Sequence, residues 1–121
     1  MLQITPHIPL FVAIEPIDFR RGIDGLAAAC RQRLKMDPLS GALFVFRNRQ
    51  YTALKVLVYD GQGYWMCHKR FSSGKLSWWP GSASEAKVVL QTWELHTLLY
   101  GGNPSTVGAV DNWRPVTPAI K

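Results

Sequence analysis

Cysteine is scarce in this 121-residue sequence, and no apolar run is long enough to cross a membrane. The two cysteines, Cys30 and Cys67, cannot supply the disulfide framework of a small secreted domain. Residues 1–5 lack the basic start that is typical of a secretory signal. We therefore expect a cytoplasmic protein with two reduced, mostly buried thiols and no membrane partner.

Sequence motifs for metal, nucleotide or covalent chemistry are also missing. Adjacent Cys67 and His68 would point to opposite faces of a strand, and the other histidines do not follow a zinc-binding spacing. No Gly-x-Ser-x-Gly elbow is present, and the glycines of residues 61–63 indicate a hairpin rather than a phosphate-binding loop. The sequence therefore predicts neither a metal site nor a cofactor.

Three aspartates, Asp18, Asp24 and Asp60, are the remaining candidates for catalysis, because together they could hold magnesium in a nuclease. Each has a simpler structural role. The first two suit the start of a helix, and the third suits a turn. We therefore predict that the protein is not an enzyme. A small hydrolase or nuclease that uses these three carboxylates is a competing hypothesis.

Acidic residues are few: eight stand against fourteen lysines and arginines, and the net charge is +6. The basic excess is confined to residues 20–80, which carry eleven basic and three acidic residues. A concentrated positive field attracts polyanions and speeds association with them. The charge pattern therefore favours nucleic acid as a partner.

Hydrophobic periodicity predicts an α+β fold, with a mostly antiparallel sheet of about five strands packed against one long and one short helix. The long helix should end at Asp37, because the residue before Pro38 is disfavoured in a helix. Basic residues, including Arg33, fill its last turns and suit the helix dipole. Its apolar stripe consists of Ile23, Leu26, Ala27, Cys30 and Leu34. The strand candidates are residues 8–14, 42–47, 53–59, 64–70, 75–79 and 86–90, and the short helix is residues 92–100.

The central hairpin around Asp60 determines which side chains share a sheet face. One face carries Lys55, Leu57, Tyr59, Tyr64, Met66 and His68. The other face carries Leu54, Val56, Val58, Trp65, Cys67 and Lys69, and its greater apolarity assigns it to the core against the helix. The first face is either an open cationic and aromatic surface for phosphates and bases, or a second core layer.

Basic and aromatic residues of the central region form the candidate nucleic-acid interface. These are Arg20, Arg21, Arg47, Arg49, Lys55, Tyr59, His68, Lys69, Arg70 and Lys75. The polar loop of residues 47–50 suits contact with backbone phosphates. Trp79 and Trp93 are candidates for contact with a protein partner, because large aromatic side chains dominate interface energetics.

Four segments resemble, in the same order, those of the small TnpB accessory proteins of insertion-sequence-sixty-six transposable elements. They are Asp18-Phe19-Arg20-Arg21-Gly22-Ile23-Asp24-Gly25-Leu26, the run from Asp37 to Phe46, the run from Lys55 to Gly63, and Lys69-Arg70-Phe71 with Gly74 and Trp79-Pro80. The resemblance covers roughly residues 8–102. The much longer RNA-guided nucleases that are also named TnpB are a different family.

The resemblance implies an accessory protein for transposition, because strand cleavage by these elements is attributed to a separate, larger transposase. We expect one domain over residues 1–102 and a flexible, Pro- and Gly-containing tail over residues 103–121. The expected partners are element DNA and the transposase of the same element, with a second copy of the chain as a further candidate. The alternative is an adaptor that binds the transposase without touching DNA.

Overall fold

Short apolar segments build a mixed β-sheet in the computed structural model, which describes residues 8–81 and 86–100. Within these residues the sheet has five strands, in the spatial order β4-β3-β2-β1-β5. The elements are β1 (Leu10–Ala13), α1 (Ile23–Gln32), β2 (Leu43–Arg47), β3 (Ala53–Tyr59), β4 (Tyr64–Arg70), β5 (Lys87–Leu90) and α2 (Thr92–Leu99). The predicted α+β fold with about five strands and two helices is confirmed. The strand predicted at 75–79 does not form, and the predicted tail lies outside the described residues.

The sheet contains one parallel strand pair. β1 and β2 run parallel, with Leu10 opposite Leu43, and α1 connects them. The three other neighbouring pairs among the described strands are antiparallel. Parallel neighbours need a crossover connection, and the helix between these two strands supplies it. Their carboxyl ends, Ala13 and Arg47, therefore lie at the same end of the sheet.

Each face of the sheet contributes to a core, because a helix packs on each. The core on the α2 side joins strand residues such as Val45 and Val56 to Leu95 and Leu98 of α2. The core on the α1 side joins Phe44, Phe46 and Leu57 to Leu26 and Cys30 of α1. The predicted face of Leu54, Val56 and Val58 does enter a core, but it packs against α2 rather than the long helix. Its β4 members Trp65, Cys67 and Lys69 remain exposed.

The ends of α1 differ from the prediction. The helix stops at Gln32, well before Asp37, and Lys35 follows in the left-handed region with φ of 55°. Its N-cap is Gly22, which has no side-chain cap hydrogen bond. Asp18 does not cap the helix, because its carboxylate accepts hydrogen bonds from Arg20. Gly25 is required in the first turn, since a Cβ there would collide with the side chain of Arg21.

The two thiols have different environments. Cys30 is buried in the α1-side core, and burial raises the pKa of its thiol to about 12. Cys67 is exposed on the edge strand β4, contrary to the prediction of mostly buried thiols. Across residues 8–81 and 86–100, no helix has both the length and the apolarity that crossing a membrane requires.

The side chains of the β3–β4 hairpin share faces as predicted, and Tyr59 pairs with Tyr64. Asp60 holds its turn: Oδ1 accepts hydrogen bonds from the backbone N–H groups of Gln62 and Gly63, both at 2.9 Å. Oδ2 accepts a hydrogen bond from Nε1 of Trp65 at 2.8 Å. These donors favour the charged carboxylate and therefore lower the pKa of Asp60.

Replacing Asp60 by asparagine should lower the melting temperature at neutral pH, because the charge-assisted hydrogen bonds of the carboxylate are lost. The folded-state pKa lies below the unfolded one, so this stabilisation is complete above the unfolded pKa. It disappears as the pH falls through the folded pKa. The difference in melting temperature between the wild type and Asp60→Asn should therefore close in acid. A difference that stays constant with pH would contradict the assignment.

Candidate nucleic-acid interface

The carboxyl ends of β1 and β2 open into two adjoining hollows, one of about 470 Å³ and the other of about 710 Å³. Both are lined by Pro16, Arg33 and Arg49. The smaller one adds Glu15, and the larger one adds Arg20 among others. We refer to the combined hollow as the basic cleft. It lies where ligands commonly bind in open sheets, beyond the carboxyl ends of parallel strands.

One wall of the basic cleft is the loop from β1 to α1. The backbone N–H of Ile17 donates to the carbonyl of Arg47 at 3.0 Å, which fixes the loop to the end of β2. Nη1 of Arg33 donates to the carbonyl of Pro16 at 2.9 Å. The Arg33 guanidinium is thereby held at the wall of the cleft, with its other N–H groups left over for a ligand.

The turn between β2 and β3, which Asn48 organises, also lines the cleft. Its Oδ1 accepts hydrogen bonds from the backbone N–H groups of Thr52 and Ala53, at 2.9 and 3.1 Å. Its Nδ2 donates to the hydroxyl of Thr52 at 2.8 Å. The turn places Arg49 at its exposed tip. Among the described residues, Arg49 has no hydrogen bond or ion pair.

The third arginine of the cleft, Arg20, is paired with Asp18. Nη2 of Arg20 lies 2.7 Å from Oδ2 of Asp18, and Nε lies 3.1 Å from both carboxylate oxygens. The Arg20 side chain lowers the pKa of Asp18 to about 2. Exposed pairs of this kind add little stability. The pair orients Arg20 but partly offsets its charge. The positive charge of the cleft therefore rests mainly on Arg33 and Arg49, against the one further carboxylate, Glu15, in the lining of the smaller hollow.

Lys55 does not contribute to an open basic surface, which is a correction to the prediction. Its side chain is only 4% exposed. Its ammonium donates to the carbonyls of Phe19 and Arg21, at 2.9 and 3.2 Å, and lies 4.9 Å from the centre of the Phe19 ring. The sheet face of Lys55 and Leu57 is therefore the second core layer, covered by α1 and its preceding loop.

The remaining members of that face lie at its border. Tyr59 is half-buried, and its ring meets the Tyr64 ring edge-on at 5.3 Å. His68 is exposed and contacts the Phe19 ring edge-on at 5.6 Å. Arg21 is exposed on the loop above them. The basic cleft is lined by none of these three residues.

Lys69 and Arg70, two of the predicted interface residues, lie on opposite sheet faces at the end of β4. Lys69 lies on the α2 side, where its ammonium donates to the carbonyl of Leu99 and lies 5.0 Å from the centre of the Tyr100 ring. Burial lowers the pKa of Lys69. Arg70 follows on the opposite face, because successive strand residues alternate. Arg70 and Lys75 are exposed.

Arg47 sits at the same sheet end but faces away from the basic cleft. It is only 9% exposed, and its guanidinium carbon lies 4.0 Å from the centre of the Tyr51 ring and 6.0 Å from that of Trp79. Nη1 donates to the carbonyl of Asn48 at 3.2 Å, whereas Nε is buried without a partner. Tyr51 has φ of 62°, a left-handed conformation that costs a non-glycine residue about 1–2 kcal/mol.

Comparison with known protein families gives a match over residues 8–109, to the family described as IS66 Orf2 like protein. The chain belongs to this family. Two curated relatives come from Sinorhizobium fredii (strain NBRC 101917 / NGR234). Uncharacterized protein y4hO is 34% identical over 118 residues, which is 95% of this chain and 96% of the relative. Uncharacterized protein y4jC is 39% identical over 75 residues, 62% of this chain and 64% of the relative. No solved structure matches.

The two tryptophans predicted to contact a partner have different positions in this IS66 Orf2-like fold. Trp79 is half-buried, packs against the α2-side core, and donates from Nε1 to the carbonyl of Ala13 at 2.8 Å. It therefore has a structural role. Trp93 is 60% exposed on α2, and Tyr100 just beyond that helix is also exposed. Trp93 remains available for contact with another molecule.

Sequence reasoning missed Arg33 as a site residue. In the sequence, Arg33 is one of several cations near a helix C-terminus, and the helix dipole is enough to explain such a residue. Its place in the cleft depends on a contact with Pro16, seventeen residues away in the chain.

Within residues 8–81 and 86–100, no three His, Cys, Asp or Glu side chains are grouped so that they could hold a metal ion.

Proposed function

We propose that this IS66 Orf2-like protein is a non-catalytic accessory factor for transposition in the cytoplasm, and that its basic cleft holds the sugar–phosphate backbone of element DNA. The family membership supports the role in transposition. The observation that carries the DNA contact is the pair Arg33 and Arg49, which line both hollows of the cleft at the end of the sheet. The transposase of the same element would then act on DNA that this protein also contacts.

The chemistry of the cleft suits a phosphate. A guanidinium presents several N–H donors in one plane, and it binds phosphate oxygens through paired hydrogen bonds. Arg33 is already fixed by Pro16, so little side-chain freedom is lost when it binds a ligand. The exposed cations outside the cleft, among them Arg21, Arg70 and Lys75, add a diffuse positive field that would steer DNA toward it.

Binding to a labelled duplex of the element end, measured by fluorescence anisotropy across a salt series, tests this proposal. We expect the logarithm of affinity to fall linearly with the logarithm of salt concentration, since each phosphate contact releases counterions. The double variant Arg33→Gln/Arg49→Gln should bind more weakly, and its salt slope should be shallower by about 2, one for each lost contact. A scrambled duplex tests for sequence preference in the same series.

The matched control is Arg31→Gln, which removes the same charge from an exposed position of α1 outside both hollows. It should lower the affinity less than Arg33→Gln and leave the slope nearly unchanged. Melting temperatures of all variants show whether each one is folded. Wild-type protein that binds neither duplex at low salt would overturn the proposal. Equal effects of Arg31→Gln and Arg33→Gln would remove the cleft as the binding site.

The alternative function is an adaptor that binds the transposase through an apolar surface and does not touch DNA. Exposed Trp93 on α2 is the observation that favours it. Such an interface depends weakly on salt, because it rests on burial of apolar area rather than on phosphate contacts. Capture of purified transposase that persists at high salt and is lost in Trp93→Ala, without any binding to DNA, would support the adaptor.

A further inference from the structure

We propose that Tyr51 is a stacking platform for an unpaired nucleobase, so that the protein engages DNA where a strand end or flap is single-stranded. This inference rests on the proposed DNA contact and adds to it a preference for unpaired bases. Tyr51 lies in the same turn as Arg49 of the basic cleft, but its ring is directed toward Arg47 on the other side of the sheet end.

The first supporting observation is the unusual placement of an exposed aromatic residue. Tyr51 is 37% exposed, and its φ of 62° lies in the region where glycine is the ordinary choice. Its backbone is held in this conformation on both sides. The carbonyl accepts a hydrogen bond from the N–H of Leu76 at 2.7 Å, and its N–H donates to the carbonyl of Asn48 at 3.4 Å. A strained residue that carries a partly open ring points to a functional role.

The second observation is the cation against the ring. The Arg47 guanidinium carbon is 4.0 Å from the centre of the Tyr51 ring, and its buried Nε has no hydrogen-bond partner. No ion pair neutralises Arg47 within the part of the chain that the structure describes. The buried guanidinium holds the Tyr51 ring in place by contact with a π face of that ring, and it leaves a positive charge behind the ring. This charge would attract the phosphates on either side of a stacked base.

Base stacking explains both observations together. Every base has a π face, so stacking on an aromatic side chain is tolerant of sequence. Bases inside a duplex are already stacked on their neighbours and cannot reach a side chain without being extruded. A single-stranded segment meets no such barrier. Exposed Arg49, two residues before Tyr51, would bind a phosphate of the DNA strand between the part held in the cleft and the base stacked on the ring.

The test compares three labelled DNAs that share one element-end duplex: blunt, with an unpaired thymidine tail, and with a tail of abasic nucleotides. The abasic tail carries the same phosphates but no bases. We expect wild type to bind the thymidine-tailed DNA about tenfold more tightly than the blunt duplex. The abasic tail should raise the affinity by a smaller factor, because it adds phosphates but no bases. Tyr51→Phe should keep the thymidine preference, because it keeps the ring.

Tyr51→Gly is the decisive variant, since glycine suits the positive φ and the turn should still form. It should lose the difference between thymidine and abasic tails and keep wild-type affinity for the blunt duplex. If Tyr51→Gly keeps the full thymidine preference, or if wild type shows none, the stacking site is overturned while blunt-duplex binding still supports the cleft. Failure of wild type to bind any of the three DNAs would overturn both proposals.

Discussion

Truncating Phe44 to alanine is expected to lower the free energy of unfolding by about 3–5 kcal/mol. Phe44 is fully buried in the α1-side core, and its ring stacks on Phe11 with a centroid distance of 5.9 Å. Leu95→Ala should lower it by about 2–5 kcal/mol, because Leu95 is fully buried in the α2-side core. The two substitutions test the two faces of the sheet separately. Urea unfolding of both variants gives the comparison.

The control for these truncations is Val89→Ala. Val89 is an apolar residue of β5, but it is 61% exposed, so its truncation should change stability by less than about 0.5 kcal/mol. If only one face of the sheet were buried, only one of Phe44→Ala and Leu95→Ala would markedly lower the free energy of unfolding. The other would change it as little as Val89→Ala does. Such a result would contradict the packing of a helix on each face.

The sequence predicted most of the strands, and the side-chain faces of the central hairpin, better than it predicted the layers. A tight turn at residues 60–62 places the same side chains together in either possible register, so the two side-chain sets of this hairpin follow from alternation alone. The structure has the register in which Tyr59 pairs with Tyr64. Which helix covers which set does not follow from local pattern. Both sets contain apolar and polar members, and both helices are amphipathic. The choice depends on contacts between segments that are far apart in the chain.

The parallel pair of β1 and β2 shows the same limitation. Short connections between the later strands predicted antiparallel neighbours, and β2, β3 and β4 follow that rule. β1 is separated from β2 by α1, and this longer connection allows parallel pairing beside an antiparallel β5. The strand predicted at 75–79 was apolar enough to suggest pairing. In the structure Leu76 and Trp79 instead pack against the α2-side core without joining the sheet.

Part of the candidate interface was accessible from sequence. Arg20 and Arg49 were predicted, and both line the basic cleft. The prediction could not separate exposed cations from buried ones, because a lysine on a mixed strand face is compatible with either. Lys55 is covered in part by the loop carrying Phe19, whose carbonyl it contacts from 36 residues away in the chain. Arg47 likewise ends a strand whose residues are all buried, and neighbouring aromatic rings cover it.

Charge reversal should separate the two kinds of basic residue. Lys55→Glu is expected to destabilise the fold by more than about 4 kcal/mol, since it would bury a carboxylate against the carbonyl oxygens of Phe19 and Arg21. These oxygens are acceptors, so the new carboxylate would gain no hydrogen bond from them. The variant is expected to unfold at a much lower urea concentration than wild type, or to remain unfolded without denaturant.

Arg49→Glu is the matched reversal at an exposed position of the next turn, and it should give the opposite result. Because Arg49 has no partner among the described residues, the urea midpoint should stay close to that of wild type. Affinity for the element-end duplex should fall, since the new carboxylate would repel phosphates in the basic cleft. If Lys55→Glu folds normally but loses DNA binding, Lys55 belongs to the interface and the covering loop must open. If Arg49→Glu unfolds instead, its turn is structural and the cleft loses its principal free cation.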